Sequence, residues 1–266
     1  MTVPADYHMH TPLCRHATGE PIELAEQAVA AGLDEIGFTD HSPMERDGFD
    51  EWRMERAQLG QYVEAVERAR AAFPRLTIRL GLEVDYIPGQ EDWIRELRQM
   101  RKWDYFIGSV HYVDSSWALD NPSMLEEWER RGKFEVWAAY FERLTMAAQS
   151  GLFEIIGHAD LCKKFGYYPK QDCSGLYKKF VVAAAAGGVA IELNTAGLRK
   201  TCREIYPGPQ LLGMARAAGV RITFGSDAHA PSEVGADFGA AVRLAREAGY
   251  THALRFSEGV ARAVQL

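Results

Sequence analysis

Short apolar runs alternate with longer amphipathic stretches along almost the whole chain. The runs cover residues 5–7, 35–39, 77–84, 105–110, 153–157, 189–193 and 221–225. Several, such as TIRLGLEV, YFIGSV and VRITFG, are rich in β-branched or aromatic residues and short enough to be buried strands. Between them, residues 21–31, 53–72, 90–101, 136–150, 175–186 and 210–218 carry helical patterning, with Pro21 placed as a first-turn proline. Gly32, Gly151 and Gly219 stand where a helix should stop before the next strand. This alternation predicts an α/β fold, a parallel sheet with crossover helices. An open doubly wound sheet would carry a glycine-rich phosphate loop after its first strand, but HMHTPLCRH stands there instead. Seven strand–helix units with polar residues just past each strand predict a barrel, with its chemistry at the C-terminal ends of the strands.

Composition narrows the function classes. The 266 residues hold 30 Lys+Arg against 37 Asp+Glu, a net charge of −7, with both signs interspersed. Bulk electrostatics therefore give no support to nucleic-acid or anionic-membrane binding. No apolar run approaches the roughly 20 residues that span a bilayer, and charged and histidine residues already interrupt the first ten positions, against a secretory signal. The four cysteines (Cys14, Cys162, Cys173 and Cys202) form no CxxC pair, and free thiols are expected. No linker or repeat divides the sequence. A single cytoplasmic catalytic domain over residues 1–266 is the expectation.

The histidines change the picture. Seven of the eight, His8, His10, His16, His41, His111, His158 and His229, end a predicted strand or follow one; His252 falls in what reads as a C-terminal helical stretch. A barrel gathers those strand ends around one mouth, and neutral imidazole is the commonest metal ligand. His8 and His10 flank one residue on a strand end, so both project to the same face, and Asp227 and His229 repeat the spacing. Glu83 is an acid inside an otherwise apolar run, a costly placement that metal coordination offsets. Asp40 is either a ligand or an acceptor behind an imidazole, and the second role is favoured. A single zinc takes about four ligands, and this set without Asp40 holds nine, so more than one ion is expected. A multinuclear centre points to hydrolysis at phosphorus. Three divalent ions less Glu83 and Asp227 leave roughly +4, enough to attract a phosphate dianion to an acidic protein.

In this order, HMH, CRH, TDH, GLEVDY, GSVH, GHAD, IELNTAGLRK and GSDAH resemble the PHP (polymerase and histidinol phosphatase) superfamily, and more narrowly its monofunctional histidinol-phosphate phosphatases. The match runs from about Asp6 to Gly235. The resemblance implies a distorted (β/α)7, TIM-like barrel and a trinuclear centre of zinc, iron and/or manganese. Carried over by position, His8, His10, Glu83 and Asp227 hold one ion, His16, His41 and His229 a second, and Glu83, His111 and His158 a third. A metal-bridging hydroxide, held through Glu83, Asp227 and His229, would attack phosphorus in line. Arg199 sits where the family supplies a cation to the phosphate, and Lys163 or Lys164 would assist. Residues 112–140, holding Trp117, Asp120, Trp128, Phe134 and Trp137, resemble a substrate-side helical insertion in which Asp120 or a nearby acid would meet the histidinol amine, with Trp117 beside it.

The reading that follows is hydrolysis of L-histidinol phosphate in histidine biosynthesis. The alternative within the family is a phosphoesterase for nucleotides or other small phosphate esters. The charge balance argues against long nucleic acid but not against a nucleotide. An amidohydrolase-like enzyme lacks its usual bridging lysine here, and a metal-storage protein needs no open cationic mouth. The sequence leaves the oligomeric state open.

Overall fold

A computed structural model describes residues 5–114 and 117–266. Six strands, β1 (Glu35–Phe38), β2 (Thr77–Asp85), β3 (Tyr105–Ser109), β4 (Ile155–Ile156), β5 (Ala190–Asn194) and β6 (Ile222–Gly225), pair in sequence order, and every pair is parallel. The helices are α1 (Pro21–Ala30), α2 (Leu59–Ala72), α3 (Glu91–Met100), α4 (Glu126–Arg130), α5 (Lys133–Gln149), α6 (Ser174–Gly187), α7 (Pro209–Ala217) and α8 (Phe238–Glu247), of which α2 to α7 lie in the crossovers between paired strands. Of all these helices, six match expected ones. Gly32, Gly151 and Gly219 all take the left-handed conformation just beyond helix ends, at φ of 77°, 70° and 79°. The helix expected from residue 53 begins only at Leu59, because Arg53 turns inward to buried acids.

The first expected strand, residues 5–7, is not a regular strand, yet it closes the ring. The Gly37 amide donates to Asp6 O at 2.7 Å and the Tyr7 amide to Phe224 O at 3.1 Å, so one segment bonds both open edges of the sheet. Further along, Thr39 N donates to Met9 O and Ala228 N to His8 O. On the β1 side the ladder thus jumps from residue 6 to residue 9, one residue more than a regular ladder takes, as in a bulge. The extra residue lets Tyr7 enter the apolar interior while its neighbour His8 also faces inward, towards Glu83.

Two cores result. The larger lies between strands and helices and takes the outward residues Ile78, Leu80, Leu82 and Val84 of β2. The smaller fills the barrel itself with Tyr7, Tyr105, Ile107, Ile155, Ala190, Leu254 and Phe256. Leu254 and Phe256 come from an antiparallel hairpin, β7 (His252–Ser257) and β8 (Val260–Gln265), that seals the N-terminal mouth. Thr223 Oγ1 donates to Leu254 O at 3.1 Å, and Arg255 pairs with Asp34 at 2.6 Å and Glu35 at 3.2 Å. His252 therefore lies in a strand, correcting the helical expectation. The Phe256 ring sits 5.7 Å from those of both Tyr7 and Tyr105. Phe256→Ala should cost about 3–5 kcal/mol in urea unfolding, because the rigid barrel wall cannot collapse into the void. A loss below about 1 kcal/mol would mean that the hairpin does not seal this core.

The start of α5 accounts for residues 133–140, and residues 112–132 form an irregular cap over the opposite mouth. It contains a Tyr112–Ala118 bridge, a 3-10 turn at Pro122–Met124 and the short α4; Ser115 and Ser116 lie outside the described residues. Among the described residues, no helix is long and apolar enough to cross a membrane.

Candidate metal centre

Alternation along β2 turns Glu83 into the barrel while Leu82 and Val84 pack outward. Five imidazoles meet its carboxylate. Oε2 lies 3.0 Å from His41 Nδ1, 3.3 Å from His8 Nε2 and 3.6 Å from His10 Nε2. Oε1 lies 2.9 Å from His158 Nε2 and 3.6 Å from His111 Nε2. Asp227 Oδ1 reaches His10 Nε2 at 3.2 Å, His229 Nδ1 at 3.5 Å and His8 Nε2 at 3.8 Å. His16 and His229 bring their Nε2 atoms within 2.9 Å of each other. All nine expected ligands thus converge on one mouth, from the ends of different strands.

The donor chemistry fits divalent metal. His8 Nε2, His10 Nε2 and His41 Nδ1 are buried, face carboxylate oxygens and have no hydrogen-bond partner among the described residues. Burial without a partner is costly for a polar nitrogen, and a shared cation removes that cost. Separations of 3.0–3.8 Å also match ligand-to-ligand edges, which are about 3.3 Å around a tetrahedral zinc. Sets such as His8, Glu83 and His158, or His10, His41 and His229, place three donor atoms within 4.8 Å of one another. Burial raises the pKa of Glu83, but the imidazoles of His41, His8 and His111 hold it well below the ordinary carboxylate range. It is a carboxylate, the form in which such a group binds metal.

Behind the ligands stands a layer of acids that fixes ring orientation. Asp40 lies 3.6 Å from His10 Nδ1, accepts from the His41 amide at 2.8 Å and bonds the Thr11 hydroxyl, so it stands behind the imidazoles rather than at the Glu83 carboxylate. Sequence reasoning missed two others. Glu192 on β5 lies 2.7 Å from His8 Nδ1 and accepts from the His158 amide at 2.9 Å. Asp85, two residues after Glu83, bonds His111 Nδ1 at 2.8 Å. Both carry the signal that singled out Glu83, an acid inside an apolar run. The backbone is strained here too, with His158 at φ 21° and Asp227 at φ 53°. Gly225 is needed because a Cβ there would collide with Glu192 and His8.

A cavity of about 390 Å³ opens from the ligands to the surface, walled by Trp52, Asp120, Pro122, Lys164, Lys200 and Tyr206. Asp120, expected near the substrate amine, lies on this wall. Its carboxylate accepts from Lys164 Nζ at 2.9 Å, and although burial raises its pKa, Lys164 and His111 bring it to about 2. Three other expected contacts fail. Lys163 is buried in a cluster with Asp160 at 2.9 Å and Glu204 at 3.0 Å, and its neighbour Lys164 takes the wall position. Trp117 is 1% exposed, edge-on to Trp128 at 5.3 Å with Arg131 over its ring, so it packs the cap instead of facing substrate. Arg199 is off the wall as well. Its Nε donates to Glu233 at 3.2 Å and Nη2 to Ser226 O at 2.7 Å, while Glu233 accepts from the His229 amide at 2.9 Å. The guanidinium therefore braces the loop carrying Asp227 and His229, and Lys200 is the wall cation from that turn.

A closed parallel barrel with clustered imidazoles and carboxylates at its strand ends defines the class of metal-dependent barrel hydrolases. The chain belongs to the PHP domain family, whose model matches residues 6–196. It is 44% identical over 94% of its length to a Deinococcus radiodurans protein named "Probable histidinol-phosphatase", covering 95% of that protein. It is 31% identical to the Bacillus subtilis histidinol-phosphatase, over 86% of this chain and 95% of that one. The crystal structure of a Lactococcus lactis histidinol phosphate phosphatase with zinc, L-histidinol and phosphate shares the fold, with a TM-score of 0.82, 22% identity and coverage of 98% of this chain and 99% of that one.

Proposed function

We propose that this chain is a metal-dependent phosphomonoesterase that hydrolyses L-histidinol phosphate to L-histidinol and phosphate. The observation that carries the reading is Glu83, one buried carboxylate facing five imidazoles at the end of an open cavity. The names of the Deinococcus, Bacillus and Lactococcus relatives give the substrate.

Three ions of zinc, iron or manganese are assigned to this mouth: one to His8, His10, Glu83 and Asp227, one to His16, His41 and His229, and one to Glu83, His111 and His158. Mixed imidazole and carboxylate donors accommodate all three metals. When bound, such ions supply Lewis acidity and make water nucleophilic at neutral pH. The protein supplies the rest. Glu192, Asp85 and Asp40 hold the imidazole rings in place, so little reorganisation accompanies charge build-up on phosphorus. Lys164 and Lys200 add positive charge for the phosphate oxygens, and Asp120 receives the substrate ammonium. Trp52 and Tyr206 offer flat apolar faces to the substrate imidazole.

Phosphate release from a panel of esters tests this reading. Histidinol phosphate should exceed nucleoside monophosphates in kcat/KM by about tenfold or more, since each charge-assisted contact to the amine contributes about 1.5–3 kcal/mol. Equal or better turnover of a nucleoside monophosphate would replace it with a nucleotide phosphoesterase.

A further inference from the structure

Arg53 lies on no strand or helix and off the wall of the 390 Å³ cavity, yet its side chain is only 5% exposed and makes four hydrogen bonds to three groups. Its Nη2 donates to Asp85 Oδ2 at 2.9 Å, whose other oxygen bonds His111 Nδ1 at 2.8 Å. Its Nη1 donates to the carbonyl of Ser42, the residue after His41, at 3.2 Å. On the opposite side, Nε and Nη2 grip Asp50 Oδ2 at 2.8 Å and 2.5 Å. That oxygen also accepts from the Tyr112 hydroxyl at 2.7 Å, and Trp52 Nε1 donates to Tyr112 Oη at 3.3 Å. Trp52 is on the cavity wall. An unbroken hydrogen-bonded chain thus runs from a metal-ligand imidazole, through one guanidinium, to the indole that faces the substrate.

We propose that Arg53 is a positioning residue that fixes the metal-side imidazoles and the substrate-side wall against each other. Its planar fork is what makes this possible, because three nitrogens in one plane reach two carboxylates and a carbonyl at once. Residues 45–52 have no helix or strand of their own. Without Arg53, the hydrogen-bonded path from Trp52 among the described residues would end at Tyr112 and Asp50, and Asp85 would lose the cation opposite His111. The substrate-side half of the proposal rests on the histidinol-phosphate reading above; the metal-side half does not.

The test uses the full-length, metal-loaded protein and three variants, Arg53→Met, Arg53→Lys and Tyr112→Phe. Metal retained per chain is measured after dialysis against graded chelator, without substrate, and kcat and KM for histidinol phosphate are measured at saturating metal. Tyr112→Phe cuts only the wall side, so KM should rise about three- to tenfold with kcat and metal retention unchanged. Arg53→Met should raise KM at least as far and also release metal at about tenfold lower chelator. Arg53→Lys should recover metal retention but not KM, since one ammonium cannot span Asp85 and Asp50 together. A folded Arg53→Met protein with wild-type metal retention overturns the proposal, as does an unchanged KM in Tyr112→Phe. Full recovery of both readouts by Arg53→Lys overturns it too, because charge alone would then suffice. If Arg53→Met does not fold, the Lys and Phe variants decide. Failure of the wild-type enzyme on histidinol phosphate would sink the substrate reading while leaving the metal readout intact.

Discussion

Glu83→Ala should lower kcat/KM by at least about a thousandfold and strip metal from more than one position. The size of the effect follows from geometry. Both carboxylate oxygens face imidazoles, Oε2 towards His8, His10 and His41 and Oε1 towards His111 and His158, so one substitution removes a donor that five candidate ligands share. It also removes the one carboxylate that faces all five rings, leaving buried nitrogens of His8, His41 and His158 without the oxygen opposite them. The carboxylates behind the rings should matter less. Loss of such an orienting group typically reduces metal affinity or activity about 10–100-fold, which is the range expected for Glu192→Gln and Asp85→Asn. Asp40→Ala should fall in the same range, because Asp40 touches His10 only at 3.6 Å and otherwise holds Thr11 and the His41 amide. Elemental analysis of each purified variant beside its kinetics is the check. A Glu83→Ala protein that keeps its full metal complement would dismantle the bridging assignment.

What the sequence revealed and what it hid have physical causes. The convergence of the candidate ligands was legible because a barrel converts strand-end position directly into spatial proximity, and imidazoles at seven such ends have few other uses. The carboxylates Asp85 and Glu192 were equally legible, each an acid in a buried strand two residues from another inward polar group (Glu83 and Asn194), but the histidines had already filled the ligand count. The hairpin of residues 252–265 was misread for a different reason. Its Ala- and Arg-rich composition has helical propensity, and only burial of Leu254 and Phe256 in the barrel mouth makes it a strand pair. Its turn gave a signal all the same, since Glu258-Gly259 links the strands with both residues at positive φ, 49° and 77°. Side-chain direction in irregular turns left no trace. Lys163 and Lys164 differ by one position in a 3-10 turn, and Leu198, Arg199 and Lys200 follow a similar tight path. Local geometry alone decides which cation faces the cavity.

Asp120→Asn should cost histidinol phosphate about ten- to a hundredfold in kcat/KM while leaving phenyl phosphate within about threefold. The asymmetry comes from what Asp120 is near. It is partly buried at the cavity wall, where, against the opposing effect of burial, Lys164, His111 and His158 hold its carboxyl at about 2, so an ammonium bonded to it lies beside the metal mouth. That suits an amine a few bonds from the phosphate ester, as in a phosphorylated amino alcohol, and not a nucleotide, which has no aliphatic amine there. Lys164 does not block the site. Its Nζ also donates to the Asp120 carbonyl at 2.9 Å, so it keeps a partner when the carboxylate turns to substrate, and its charge is then free for the phosphate. Phenyl phosphate uses the metals and the lysines but has no amine, so loss of the carboxylate's charge touches only its background electrostatics. An amide at 120 keeps the shape and one acceptor, which separates the charge effect from packing. An equal fall for both substrates would assign Asp120 to the support of His111 and His158, and the amine would then have to be read by some other group in the cavity.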